Sequence, residues 1–339
     1  MSVVAASWAA VLAAAGHHVT TVAGAGPVDR LVPGLAWEGA WGPDVERNPA
    51  PPPAHGDVEA ALAGADLVVV ENLCSLPLVP AASDVVAAVL RGRPALLHHY
   101  DLPWQRARFA QVQGWPPDDP AWAHVTINDL SREDLARRGV VATTIRCGID
   151  VHAARGDRTA ARAALGLGDG DRLVLHPVRA IERKDVPAAV ALAEALGATY
   201  WLTGPAEEGY APTLAAVLAA AACPTLHRRA PSIADAYAAC DAVVLPSRWE
   251  GFGNPIAEAA LHRRPIAVGR YPAAGELADL GFRWFPPDDA TPLAAFLDER
   301  DPAVVDGLHD ANEALLHAHL SLERVAADLG IVLADRWGL

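Results

Sequence analysis

The stretch LPSRWEGFGNPIAE, Leu245–Glu258, reads as a strand that stops, a glycine-bearing loop and a helix that starts. Asn254 followed by Pro255 has the form of an N-cap and a first helical residue, where a missing N–H costs nothing. Gly251, Phe252 and Gly253 then fall where backbone N–H groups converge on a helix N-terminus, a ready site for a phosphate or a sugar hydroxyl. Glu250 precedes the loop and Glu258 lies one turn into the helix, so both carboxylates are expected to face one pocket at different depths. The deeper one suits a ribose diol, and the outer one a sugar hydroxyl or a developing positive charge.

Upstream, VRAIERKD (Val178–Asp185) follows the first apolar run of the second half. Arg179 and Lys184 are placed at the carboxyl edge of a sheet, where α/β folds bind ligands. Two cations there would neutralise a leaving diphosphate, the arginine as a fork and the lysine as a point charge. Lys184 is the only lysine of a chain whose 27 basic residues are otherwise all arginine. A P-loop is excluded, because Lys184 is followed by Asp185 and has no glycine-rich lead.

Short β-branched runs alternate with Ala/Leu-rich helical stretches along both halves. They include strands over Leu67–Glu71, Ala95–His99, Leu173–Val178 and Ala242–Pro246. Continuous apolar strands between helices of about ten residues predict α/β architecture with parallel sheets covered on both faces. Two such series, broken at the polar stretch Asp150–Asp157, predict two Rossmann-like domains facing across a cleft. The expected boundaries are 1–150 and 157–320, with a helix over 321–339 packing back on the first domain. The Pro-rich segment Asn48–Ala54 is expected to be a surface loop.

These residues resemble a known family. Glu250 and Glu258 form the E-x7-E pattern of the retaining glycosyltransferases of family 4, which have the GT-B architecture. Arg179 and Lys184 resemble its diphosphate-binding R-x4-K, and Gly204-Pro205, Cys240–Ser247 and Gly269–Glu276 fall in its usual order. The resemblance implies a nucleotide-sugar donor such as a UDP- or GDP-hexose. Glu258 would hold the ribose, Glu250 the donor sugar, and Arg179, Lys184 and the Gly251–Asn254 turn the diphosphate. In the first half, HHYDLPWQR (His98–Arg106) is similar to the family's histidine site, with His99 helping to position the donor sugar as a catalytic residue. Glu71, Asn72 and Asp101 are candidates for the acceptor side. The family's first strand and glycine-rich loop have no counterpart before the helix expected over Ser2–Gly16, so the natural start is expected upstream of Met1.

Composition narrows the rest. The chain of 339 residues is 52% apolar and carries a formal charge of −14, from 27 basic and 41 acidic groups, which argues against nucleic acid as a partner. Four scattered cysteines show neither a disulfide framework nor ligand spacing, so free thiols and no metal are expected. No basic residue opens the apolar N-terminus as a signal peptide requires, and no integral membrane segment is foreseen, which makes a cytoplasmic enzyme the expectation. Asp169-Gly170-Asp171 spells a metal-binding D-x-D but sits in a turn before a strand. The expected activity is hexose transfer with retention, without a metal or other cofactor, from a small nucleotide sugar to a sugar or small polar acceptor. A nucleotide-sugar 2-epimerase of the same architecture, or a degenerate sugar-nucleotide-binding module, are the alternatives.

Overall fold

The computed structural model describes residues 3–36 and 51–339. The chain divides into two compact units, Met1–Gly148 with Leu322–Leu339, and Ile149–Ser321.

In the first unit, α1 (Val3–Ala14) ends at Gly16, whose φ of 92° turns the chain so that the His17 N–H returns to the Leu12 carbonyl at 3.1 Å. A short parallel pair follows, β1 (Val22–Ala23) with β2 (Arg30–Leu31), outside the main sheet. Then come α2 (His55–Ala61), β3 (Val68–Glu71), α3 (Pro80–Leu90), β4 (Ala95–His99), β5 (Trp122–Thr126), α4 (Asp129–Ala136) and β6 (Ala142–Thr144). Strands β3 to β6 form a parallel sheet in sequence order. Every residue of β4 is buried, as a strand covered on both faces requires. The Pro-rich loop expected over 48–54 begins outside the described residues. A helix expected over Trp104–Gln111 is two 3-10 turns instead, 103–105 and 107–109. The Gln105 side chain folds back onto the Leu102 N–H at 3.0 Å and closes the first turn early.

The second unit runs α5 (Arg158–Leu165), β7 (Leu173–His176), α6 (Val186–Ala195), β8 (Thr199–Leu202), α7 (Ala211–Ala220), β9 (Thr225–His227), α8 (Ile233–Ala239), β10 (Ala242–Leu245), α9 (Asn254–Leu261), β11 (Ile266–Val268), α10 (Pro272–Asp279), α11 (Thr291–Asp298) and α12 (Pro302–His319). Its five parallel strands lie in the order β11-β10-β7-β8-β9. Chain order reverses between β7 and β10, the switch point at whose carboxyl end open α/β sheets hold ligands. The strand expected over Phe282–Phe285 is reduced to one bridge between Phe285 and Ala267, because Pro286 and Pro287 follow at once.

The last helix, α13 (Leu322–Trp337), belongs to the first unit. Its Val325, Leu329 and Leu333 join Trp8, Val11, Leu96, Val125 and Ile145 in one buried cluster. No helix among the described residues is long and apolar enough to cross a membrane.

Candidate functional site

The loops after β7 and β10 meet through a buried ion pair. After β7 the chain makes a 3-10 turn over Glu182–Lys184, and Asp185 takes a left-handed φ of 51° before α6 begins. That turn delivers the Lys184 ammonium onto Glu250 Oε1, with the two residues only 8% and 7% exposed. Arg183 Nη1 donates to Glu250 Oε2 at 2.9 Å and to the Trp249 carbonyl at 2.7 Å. The Arg248 N–H reaches the Arg183 carbonyl at 2.9 Å, so backbone as well as charge ties the two loops together. Burial pushes the Glu250 carboxyl up, but Lys184 and Arg183 outweigh it and hold it below the usual range. Burial draws the Lys184 ammonium down, against the pull of Glu250.

Helix α9 starts one residue earlier than Asn254-Pro255 suggested. Gly253 is the N-cap, at φ 110°, and Asn254 is already helical. A left-handed cap is a glycine's conformation, and here it also makes room, since a Cβ on Gly253 would lie 2.3 Å from the Tyr271 hydroxyl. One turn on, Glu258 accepts a hydrogen bond from the Tyr237 hydroxyl at 2.7 Å. Tyr237 stacks on His262, with ring centroids 5.0 Å apart. Burial raises the Glu258 carboxyl above its ordinary value, only partly opposed by Tyr237. The two carboxyls are therefore shifted in opposite directions. Arg179 stands apart from Lys184, half-exposed and paired with Glu207 at 2.5 Å. Phe252 is buried beside the cap.

In the first unit, the end of β4 separates its two histidines. His98 Nδ1 meets Glu71 Oε2 at 2.9 Å, its ring stacks 3.9 Å from Trp8, and the Tyr100 hydroxyl donates to the same Glu71 oxygen. Asn72, at φ 61°, accepts the Tyr100 N–H at 2.9 Å, and Asp101 pairs with Arg106 at 2.9 Å. His99 points inward and is 1% exposed. Its Nδ1 lies 2.7 Å from Ser75 Oγ and its Nε2 lies 2.9 Å from His124 Nδ1, while His124 Nε2 lies 3.0 Å from Asp118 Oδ1. With both rings neutral, each atom of this chain has one role. Ser75 donates to His99, His99 to His124, and His124 to the Asp118 carboxylate. Burial, with His124 and His98 adding to it, holds His99 well below its ordinary value and so keeps it neutral.

Several of these partners escape sequence reading. Arg183 adjoins Lys184 and could have been weighed as a second cation. Tyr237, Tyr271, Ser75 and His124 carry no local signal, since they meet Glu258, Gly253 and His99 across 18 or more residues, and only Asp118 lies near its partner, six residues before His124. Among the described residues no cluster of three or more His, Cys, Asp or Glu could hold a metal. The D-x-D forms a turn, with Asp171 accepting the Gly168 N–H at 2.7 Å.

With two parallel-sheet units in place, comparison with solved structures settles the architecture. HepE from Anabaena, in complex with UDP-glucose, superposes with a TM-score of 0.63 at 20% identity, over 84% of this chain and 82% of that one. Sucrose-phosphate synthase from Thermosynechococcus elongatus gives 0.67 at 18% identity, over 83% and 76%. A glycosyltransferase from Rickettsia africae gives 0.69 at 13% identity, over 98% and 93%. The fold is GT-B. The profile of a family described as "Glycosyl transferases group 1" matches residues 184–299, a span that opens on Lys184 and contains Glu250, Gly253 and Glu258. No curated protein matches the chain. In this GT-B chain the profile thus falls on the unit that carries the ion pair and the glycine-capped helix.

Proposed function

We propose that this GT-B chain is a nucleotide-sugar glycosyltransferase of family 4 that moves a hexose to its acceptor with retention of anomeric configuration. The observation that carries the reading is the buried Lys184–Glu250 pair at the strand-order reversal, next to a helix whose cap only glycine fits. Glu258 takes the ribose diol of the donor. Lys184 uses one N–H for Glu250 and has two more for a diphosphate oxygen, while the exposed Arg179 swings from Glu207 to the same group. These two cations and the α9 N-terminus offset the charge that builds on the diphosphate as its bond to the anomeric carbon breaks, which leaves no step that needs a metal. Glu250, kept ionised by two cations, faces the positive charge that develops on the sugar. His99 is a positioning residue, acting through the end of β4, which leads into Tyr100 and Asp101 beside Glu71 of β3.

UDP-glucose is the first donor to test, because HepE holds it in the same fold. Calorimetric titration with UDP, GDP, ADP and their glucose conjugates should show binding of one nucleotide. Proton NMR of slow donor hydrolysis should show the α-anomer of glucose first. Lys184→Met should weaken diphosphate binding at least tenfold without unfolding the protein. If no nucleotide binds the folded chain, the donor assignment is wrong. If β-glucose appears first, the retaining mechanism is wrong.

A further inference from the structure

The first unit contains a cavity of about 700 Å³ that none of the groups above accounts for. It lies within the range of small-molecule sites. Trp104, Trp115 and Pro116 supply flat apolar walls, and Arg91, Gln113, Asp118 and Arg138 stand among them.

The arginines are pre-set. Arg138 lies 3.6 Å over the Trp104 ring and donates to the Asp134 carbonyl at 2.9 Å. Arg91 lies 5.1 Å over Trp122, pairs with Asp119 at 3.5 Å and donates to the Asp118 carbonyl at 2.5 Å. Trp104 is fixed as well, with its indole N–H on Asp134 at 2.8 Å. By contrast, the side chains of Trp115 and Gln113 make no hydrogen bond, ion pair or ring contact within the described residues.

Charge decides the ligand class. Two guanidinium groups, of Arg91 and Arg138, and two carboxylates, of Asp84 and Asp118, line the cavity, so neither an anion nor a cation is favoured. A purely apolar ligand would take water from these side chains and return no hydrogen bond. Aromatic plates edged with fixed donors and acceptors suit a ring that has apolar C–H faces and hydroxyls at its rim.

We propose that this cavity binds a neutral saccharide, with Trp115 as the stacking plate and Arg91, Gln113 and Asp118 as hydroxyl partners. The binding site itself stands without the glycosyltransferase reading. Only the further role we give it, holding the acceptor chain, rests on that reading. A hydroxyl that donates to Asp118 shares that carboxylate with His124, whose Nε2 lies 3.0 Å from it, so occupancy is read at the His124 ring.

The test is saturation-transfer NMR on the full chain with maltotetraose, cellotetraose and chitotetraose, and with tetragalacturonate as the charged control. We expect transfer to at least one neutral tetrasaccharide, with a shift of the His124 ring nitrogens on binding. Trp115→Ala should lose the transfer at least tenfold while leaving nucleotide affinity unchanged, and Lys184→Met should leave the saccharide signal intact. Transfer to none of the neutral sugars, preference for the galacturonate, or retention in a folded Trp115→Ala protein would each overturn the proposal. Saccharide binding without any nucleotide binding would keep the cavity assignment and sink the donor assignment alone.

Discussion

Glu258 is a carboxyl group whose surroundings favour its neutral form. Burial raises its pKa, and the Tyr237 hydroxyl donates to it at 2.7 Å. A raised folded-state value means the native protein binds that proton more tightly than the unfolded chain, so ionising Glu258 costs stability as pH rises through that value. Glu258→Gln removes the cost and leaves Tyr237 an oxygen to donate to. It is expected to raise Tm at pH 7 by about 2 °C in a calorimetric scan while weakening nucleotide binding at least tenfold. In wild type, nucleotide affinity should fall as the solution is acidified through the raised value, because a protonated carboxyl grips a diol less well. Gly253→Ala acts the other way. The new Cβ meets the Tyr271 hydroxyl at 2.3 Å on a backbone at φ 110°, and the expected loss is about 1–3 kcal/mol in denaturant unfolding together with most of the nucleotide affinity.

At the scale of elements, the Glu182–Lys184 turn and the β10–α9 loop are joined by one carboxylate and two cations, which makes the two ends unequal. Lys184→Met leaves Glu250 with Arg183, whereas Glu250→Leu leaves the buried Lys184 and the half-buried Arg183 without their counter-charge. Urea unfolding should therefore show the larger loss for Glu250→Leu, about 3–5 kcal/mol. Glu250 is held below its unfolded value, so its contribution is complete above the ordinary carboxylate value of about 4.3 and is lost as pH falls below it. Between pH 5 and 3, Glu250→Leu should lose less stability than wild type. The alternation of apolar runs and helices made the parallel sheets legible, and a lysine standing alone among arginines drew attention to Lys184. Asn254-Pro255 read as a cap and missed by one residue, because the clash that reserves position 253 for glycine comes from Tyr271, on another element. Gln105 likewise halted a helix through a side-chain contact that periodicity does not carry. His99 read as a strand-end histidine, but its neutral state and inward direction depend on Ser75, His124 and Asp118, which only the register of β4 and β5 brings near.

At the scale of the molecule, the first unit is discontinuous and borrows α13 from the end of the chain. Removing residues 322–339 strips Val325, Leu329 and Leu333 from the cluster around Trp8 and Leu96. Large-to-small core changes cost about 2–5 kcal/mol per side chain, so losing three is comparable to the whole stability of an ordinary domain. The truncated protein is expected to lose the unfolding transition of the first unit in calorimetry. The second unit should keep a transition that nucleotide still raises. The same discontinuity orders events during synthesis. Residues 149–321 have all their strands once Ser321 leaves the ribosome, while the sheet formed from residues 68–144, already met by Trp8 and Val11, waits for Val325, Leu329 and Leu333 to complete that cluster. The half made first is therefore the half completed last, and its apolar surface is the one exposed longer during synthesis.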